Sequence, residues 1–192
     1  MLHDLYTLHG EKLTGTPWTV YPRPQMRRDS YLNLNGEWDF SVNDGENQKI
    51  NLPFCPESML SGIKQHFSEG SVLLYRRKVT LPEGFCRGRV LLHIGAADQV
   101  ADVYVNGMSV CHHEGGYEAF SCDITDALKQ ENEIEIRCVD DLRIQDYPYG
   151  KQVLPEKRGG MWYTPVSGIW QTVWLESVPE KYIQKLKIVN RG

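Results

Sequence analysis

The two residues Asn106-Gly107 narrow the folds open to this chain more than any other local feature. They sit between Val103-Tyr104-Val105 and Met108-Ser109-Val110, both β-favouring runs. A two-residue Asn-Gly loop favours the type I′ turn, because both central residues need positive φ and the twist of that turn matches the flanking strands. A hairpin is predicted, with Val103 and Val105 on one face and Asp102 and Tyr104 on the other. Other short segments repeat this period-two pattern. Trp38–Val42 alternates and stops at Asp44-Gly45, and Glu133–Asp140 alternates over eight residues, placing Ile134, Ile136 and Cys138 inward.

Leu74–Thr80, Arg89–Gly95 and Phe120–Ile124 also read as strands, as do Ile169–Glu176 and Tyr182–Val189. Short helical turns are expected at Thr125–Leu128 and after Pro56, the latter ended by Gly62. The first 30 residues hold Pro17, Pro22 and Pro24 and read as an extended arm rather than a helix. With turn signals between strands and no long helix, the fold class is an all-β sandwich, a strand pattern common to jelly rolls and immunoglobulin-like domains.

The chain has 192 residues, 41% of them hydrophobic and 24% charged, which suits one substantial globular domain. A net charge of −4 gives no electrostatic reason to expect nucleic acid or an anionic membrane as partner. Five cysteines without a C-x-x-C pair leave a complete disulfide framework and a zinc site unsupported. Met1-Leu2-His3-Asp4-Leu5 has no basic stretch leading into an apolar run, so a cytoplasmic protein with reduced thiols is expected. Cys111-His112-His113-Glu114 holds metal-ligand types, but neighbours in a strand point to opposite faces and do not close on one ion. With no Gly-x-Ser-x-Gly elbow either, neither a metal, a cofactor nor a hydrolytic triad is expected.

From Asp141 to about Pro165 the chain is irregular, with three prolines and three glycines. Long structureless stretches are usually functional or disordered. This one carries Tyr147, Tyr149, Trp162 and Tyr163, too aromatic for a disordered linker. It also offers Asp140, Asp141, Asp146, Lys151 and Gln152. Flat apolar rings beside fixed polar groups suit the C–H faces and hydroxyls of a sugar.

Five stretches together resemble the N-terminal sugar-binding domain of glycoside hydrolase family 2. They are Leu34-Asn35-Gly36-Glu37-Trp38-Asp39-Phe40, Pro53-Phe54-Cys55-Pro56-Glu57-Ser58 and Tyr75-Arg76-Arg77, then Val103–Gly107 with Gly115-Gly116-Tyr117 and Phe120–Thr125, and finally Gly150-Lys151-Gln152 with Ser167–Glu176. The resemblance implies a jelly-roll domain over residues 31–179, after the arm of residues 1–30, with residues 180–192 leading into a following immunoglobulin-like domain. It also implies a (β/α)8 barrel, which needs about 250 residues, carrying the two carboxyl groups of a retaining mechanism. The chain alone is therefore expected to be non-catalytic, within a parent of β-galactosidase or β-glucuronidase type.

In the family, the long loop leans over the barrel's active-site mouth. Asp146, Lys151 and Gln152 are the first candidates for substrate contact, with Tyr149 and Trp162 as the apolar surface and Glu57 also facing the barrel. In well-known members an aspartate lies six residues before the glycine of the Gly-Ile motif; Trp162 stands there, so the polar work is expected to shift to Gly150-Lys151-Gln152. A structural alternative has Lys151 and Gln152 tying the loop to its own backbone. Trp38, Trp170 and Trp174 are expected in core or interdomain packing, and at most one of Arg76 and Arg77 in a buried ion pair. A free-standing carbohydrate-binding module and a structural or oligomerisation domain remain as other readings, since the fold alone does not separate them.

Overall fold

The computed structural model describes residues 6–143, 146–153 and 159–191. Twelve strands follow in order: β1 Tyr31–Asn33, β2 Gly36–Val42, β3 Gln48–Leu52, β4 Val72–Thr80, β5 Arg89–Ile94, β6 Ala97–Asp98, β7 Val100–Val105, β8 Met108–Glu114, β9 Phe120–Asp123, β10 Glu131–Val139, β11 Gly168–Ile169 and β12 Val173–Val178. They form a six-stranded sheet (β3-β2-β4-β10-β7-β8), a four-stranded sheet (β1-β12-β5-β9) and a two-stranded ribbon (β11-β6). All named pairings are antiparallel. The fold is an all-β sandwich of jelly-roll type, as the sequence predicts.

Alternation explains the layers. In β10, Ile134, Ile136 and Cys138 are buried while the residues between them are exposed or half-buried. They meet Val103 and Val105 of β7 and Trp38, Phe40 and Tyr75 of β2 and β4 in one core. Val90, Leu92, Ile94, Val173 and Leu175 close it from the other sheet. The expected hairpin is present, with φ of 52° at Asn106 and 81° at Gly107. Arg76 and Arg77 diverge as neighbours in a strand must: Arg76 Nε meets Glu135 at 2.7 Å, while Arg77 donates to the carbonyls of Leu34 and Asn35.

The four-stranded sheet is covered on its outer face as well. Glu176 of β12 is fully buried there and accepts from Tyr21 Oη at 2.6 Å, from Arg28 Nη1 at 2.7 Å and from Arg23. His93 Nε2 lies 2.9 Å from the same carboxylate, and its ring stacks on Trp174. The N-terminal arm is thereby fastened to the sandwich by charge-assisted bonds.

Four expectations need correction. The arm is not wholly extended: Leu8–Glu11 forms one helical turn, because the Thr7 side chain caps the Gly10 N–H. The turn in the 53–62 loop starts at Met59, not Pro56, and ends on left-handed Gly62. The strand foreseen at Ile169–Glu176 is broken at Trp170–Thr172, since Gly168-Ile169 pairs with β6 and only Val173 onward joins the four-stranded sheet. Tyr182–Val189 is not a strand; it alternates in sequence, but among the described residues it finds no strand to pair with, and Ile183, Ile188 and Val189 are exposed.

Candidate functional site

One end of the sandwich gathers the β6–β11 ribbon, the 53–71 loop, the 115–117 turn and the long loop after β10. Gln152 is their hub. Its Nε2 donates to Asp98 Oδ2 at 2.9 Å and to Tyr117 Oη at 3.4 Å, and its Oε1 accepts the Val166 N–H at 2.5 Å. The two limbs of the long loop pair beside it, through Tyr163 N–H to Lys151 O at 2.9 Å and Val153 N–H to Tyr163 O at 3.3 Å. Tyr117 packs edge-on against Trp170, whose indole N–H donates to Gly116 O at 2.9 Å.

Glu57 locks the opposite side. Its carboxylate is almost buried and accepts from Ser167 Oγ at 2.6 Å and Ser167 N–H at 3.3 Å. Burial raises its carboxyl above the usual range, the Ser167 bonds offsetting part of this. Burial likewise pushes Asp98 up to about 6, although the Gln152 amide favours the charged form. Gly168 follows Ser167 with φ of 68°, and a Cβ there would lie 2.1 Å from Tyr75 Oη. Only glycine lets the ribbon pass so close to that tyrosine.

The six candidates thus fall into two groups. Gln152 and Glu57 are inward struts; Gln152 ties the loop to its own backbone at Val166, as in the structural alternative, and also to Asp98, while Glu57 holds Ser167. Asp146, Lys151 and Trp162 are exposed, and Tyr149 is half-buried. Lys151 Nζ stands 5.9 Å from the Tyr163 ring centroid, so the cation and two exposed rings, Trp162 and Tyr163, share the loop's outer surface. Asp98, Gly116 and Tyr117 join this end without being among the candidates; Gly115-Gly116-Tyr117 stands in one of the family-like stretches, whereas nothing in the sequence around Asp98 marks it.

Trp38 and Trp174 are buried, as expected, but Trp170 lies between strands and is only partly covered. All five cysteines are free. His112 bridges Asp102 at 2.7 Å and Glu114 at 3.2 Å on one face of β8, while His113 stacks on Phe120 on the other. Among the described residues no helix is long and apolar enough to cross a membrane.

The class these observations define is an antiparallel jelly-roll β-sandwich with an aromatic and polar loop at one end. The chain belongs to the glycosyl hydrolase 2 galactose-binding domain-like family, whose model matches residues 45–153. It is 45% identical over 136 residues to the β-glucuronidase of Homo sapiens, covering 57% of this chain and 20% of that protein. It is 27% identical over 160 residues to the β-galactosidase of Thermoanaerobacter pseudethanolicus, covering 82% and 20%. A β-D-mannosidase structure from Dictyoglomus thermophilum shares the fold, with TM-score 0.61 and 24% identity over 78% of this chain and 23% of that one. The chain spans about a fifth of the length of the curated relatives it matches.

Proposed function

We propose that this domain is the N-terminal sugar-recognition part of a retaining exo-glycosidase of β-galactosidase or β-glucuronidase type. In this reading the exposed face of the long loop, with Trp162, Tyr163 and Lys151, borders the sugar pocket of a barrel domain that supplies both catalytic carboxyl groups. The domain does no bond cleavage itself. The observation that carries the reading is that the buried Gln152 amide holds those rings and that cation on the outer surface of the domain's loop end. Rings offer flat apolar surface to a sugar's C–H face, and a lysine adds a charged donor for a hydroxyl or carboxylate.

Support comes also from family membership and from relatives that are glycosidases. The test is the activity of the full-length protein carrying this domain on nitrophenyl β-glucuronide, β-galactoside and β-mannoside. Hydrolysis of at least one with retained anomeric configuration is expected. Inactivity on all three, with sugar binding by the 192-residue chain alone, would favour a free-standing binding module instead.

A further inference from the structure

The two large sheets leave a pair of strand edges facing each other. β8 is the last strand of the six-stranded sheet and β9 the last of the four-stranded one, and they follow one another in the chain, joined by the 115–119 turn. Their inward side chains meet across the gap. His113 stacks on Phe120 with ring centroids 4.0 Å apart. Cys111 stands two residues back along β8 and Cys122 two residues on along β9, so they form the next inward pair.

Cys122 is buried in the core and Cys111 is half-buried against it. The two thiols hydrogen-bond to each other. With Cys122 donating, this contact holds the Cys111 thiol below its usual range, while the same contact and burial push the Cys122 thiol up. Attack on a disulfide needs a thiolate and access to solvent, and Cys111 has more of both. A disulfide also requires Cβ atoms that point together, as those of thiols in contact across facing strands do.

We propose that Cys111 and Cys122 are a redox-active pair that a low-molecular-weight disulfide converts into an intrachain disulfide, stapling the edge of one sheet to the edge of the other. The Cys111 thiolate attacks one sulfur of glutathione disulfide, forming a mixed disulfide and expelling one glutathione thiolate. Cys122 then loses its proton to solvent and attacks the Cys111 sulfur, expelling the second. Two protein thiols are oxidised and one small disulfide is reduced to two thiols. The closed ring contains Gly116, whose carbonyl accepts from Trp170, and Tyr117, whose hydroxyl accepts from Gln152. The staple would therefore brace the turn that supports the long loop. The pair is independent of the glycosidase reading.

The experiment uses the 192-residue chain with Cys86→Ser, which removes the exposed cysteine. It is treated with about 5 mM glutathione disulfide at about pH 8, alkylated, and digested without reduction by a glutamate-specific protease. Cleavage after Glu114 and Glu118 separates the two cysteines. A Cys111–Cys122 cross-link is expected in the mass spectrum, with a thermal midpoint raised by about 4 °C or more and returned by dithiothreitol. Cys111→Ser should abolish both the cross-link and the oxidant's effect on the midpoint. Alkylation of both cysteines, glutathione retained on Cys111, or a cross-link that fails to raise the midpoint overturns the proposal. Should Cys111→Ser fail to fold, the peptide map and midpoint of the chain with both cysteines decide by the same outcomes.

Discussion

Gln152 Nε2 donates to Asp98 Oδ2 across 2.9 Å of buried space, tying the long loop to strand β6 although the two residues lie 54 positions apart. Removing the amide leaves Asp98 buried without that donor. Gln152→Ala is therefore expected to destabilise the domain by about 1–3 kcal/mol. Urea unfolding measures this, and limited proteolysis should show earlier cleavage between residues 141 and 165. A change below about 0.5 kcal/mol would show that the strut carries no load.

The same pair sets a pH dependence. Asp98 ionises at about 6 in the folded chain, above its usual range, so its contribution is complete near pH 4 and is lost as pH rises to 6. Asp98→Asn keeps an acceptor for Gln152 and removes the charge. The variant should lose part of the decline in stability between pH 4 and 6, as read from urea midpoints at half-unit steps. An unchanged decline would contradict this assignment.

Glu176 has the opposite sign. His93, Tyr21 and Arg23 hold its carboxyl well below the usual range against the effect of burial, so its contribution is present above about pH 4.3 and fades as pH falls below it. Glu176→Ala strands Arg23, Arg28 and His93 against the sheet. A loss of about 3–5 kcal/mol is expected, with release of the N-terminal arm. Hydrogen exchange at residues 19–31 reports that release, and protection equal to the unaltered chain would contradict it.

Gly168 tests the packing of the ribbon. Alanine there meets Tyr75 Oη at 2.1 Å in a left-handed backbone, whereas alanine at left-handed Gly84 meets nothing within 4 Å. Gly84→Ala should cost about 1–2 kcal/mol. Gly168→Ala adds overpacking of about 1–3 kcal/mol to a similar backbone cost. Equal denaturation midpoints for the two variants would remove the special role given to Gly168.

The layers were legible because alternation and turn chemistry are local. Ile134, Ile136 and Cys138 announce an inner face, and Asn106-Gly107 announces a hairpin, with no knowledge of distant residues. The site was legible in composition only. That Lys151 and Trp162 face outward while Gln152 faces inward depends on Asp98 and Val166, and no sequence period encodes those partners. The break at Trp170–Thr172 has the same origin, since Gly168-Ile169 changes sheets to meet Ala97-Asp98. Tyr182–Val189 shows the converse: alternation without a neighbouring strand makes no β-structure. The Glu176 cluster, assembled from residues 155 positions apart, left no local trace.

The central claim is that the outer face of the long loop contacts substrate. It is tested most directly by kcat/KM of the full-length enzyme carrying Trp162→Ala or Lys151→Ala, with unfolding midpoints as the control. Both side chains are exposed, so stability should change by less than about 0.5 kcal/mol. A fall in kcat/KM of about tenfold or more in at least one variant is predicted, equivalent to about 1.4 kcal/mol of lost transition-state binding. Unchanged kcat/KM in both, on a nitrophenyl glycoside that the unaltered enzyme hydrolyses, would contradict it.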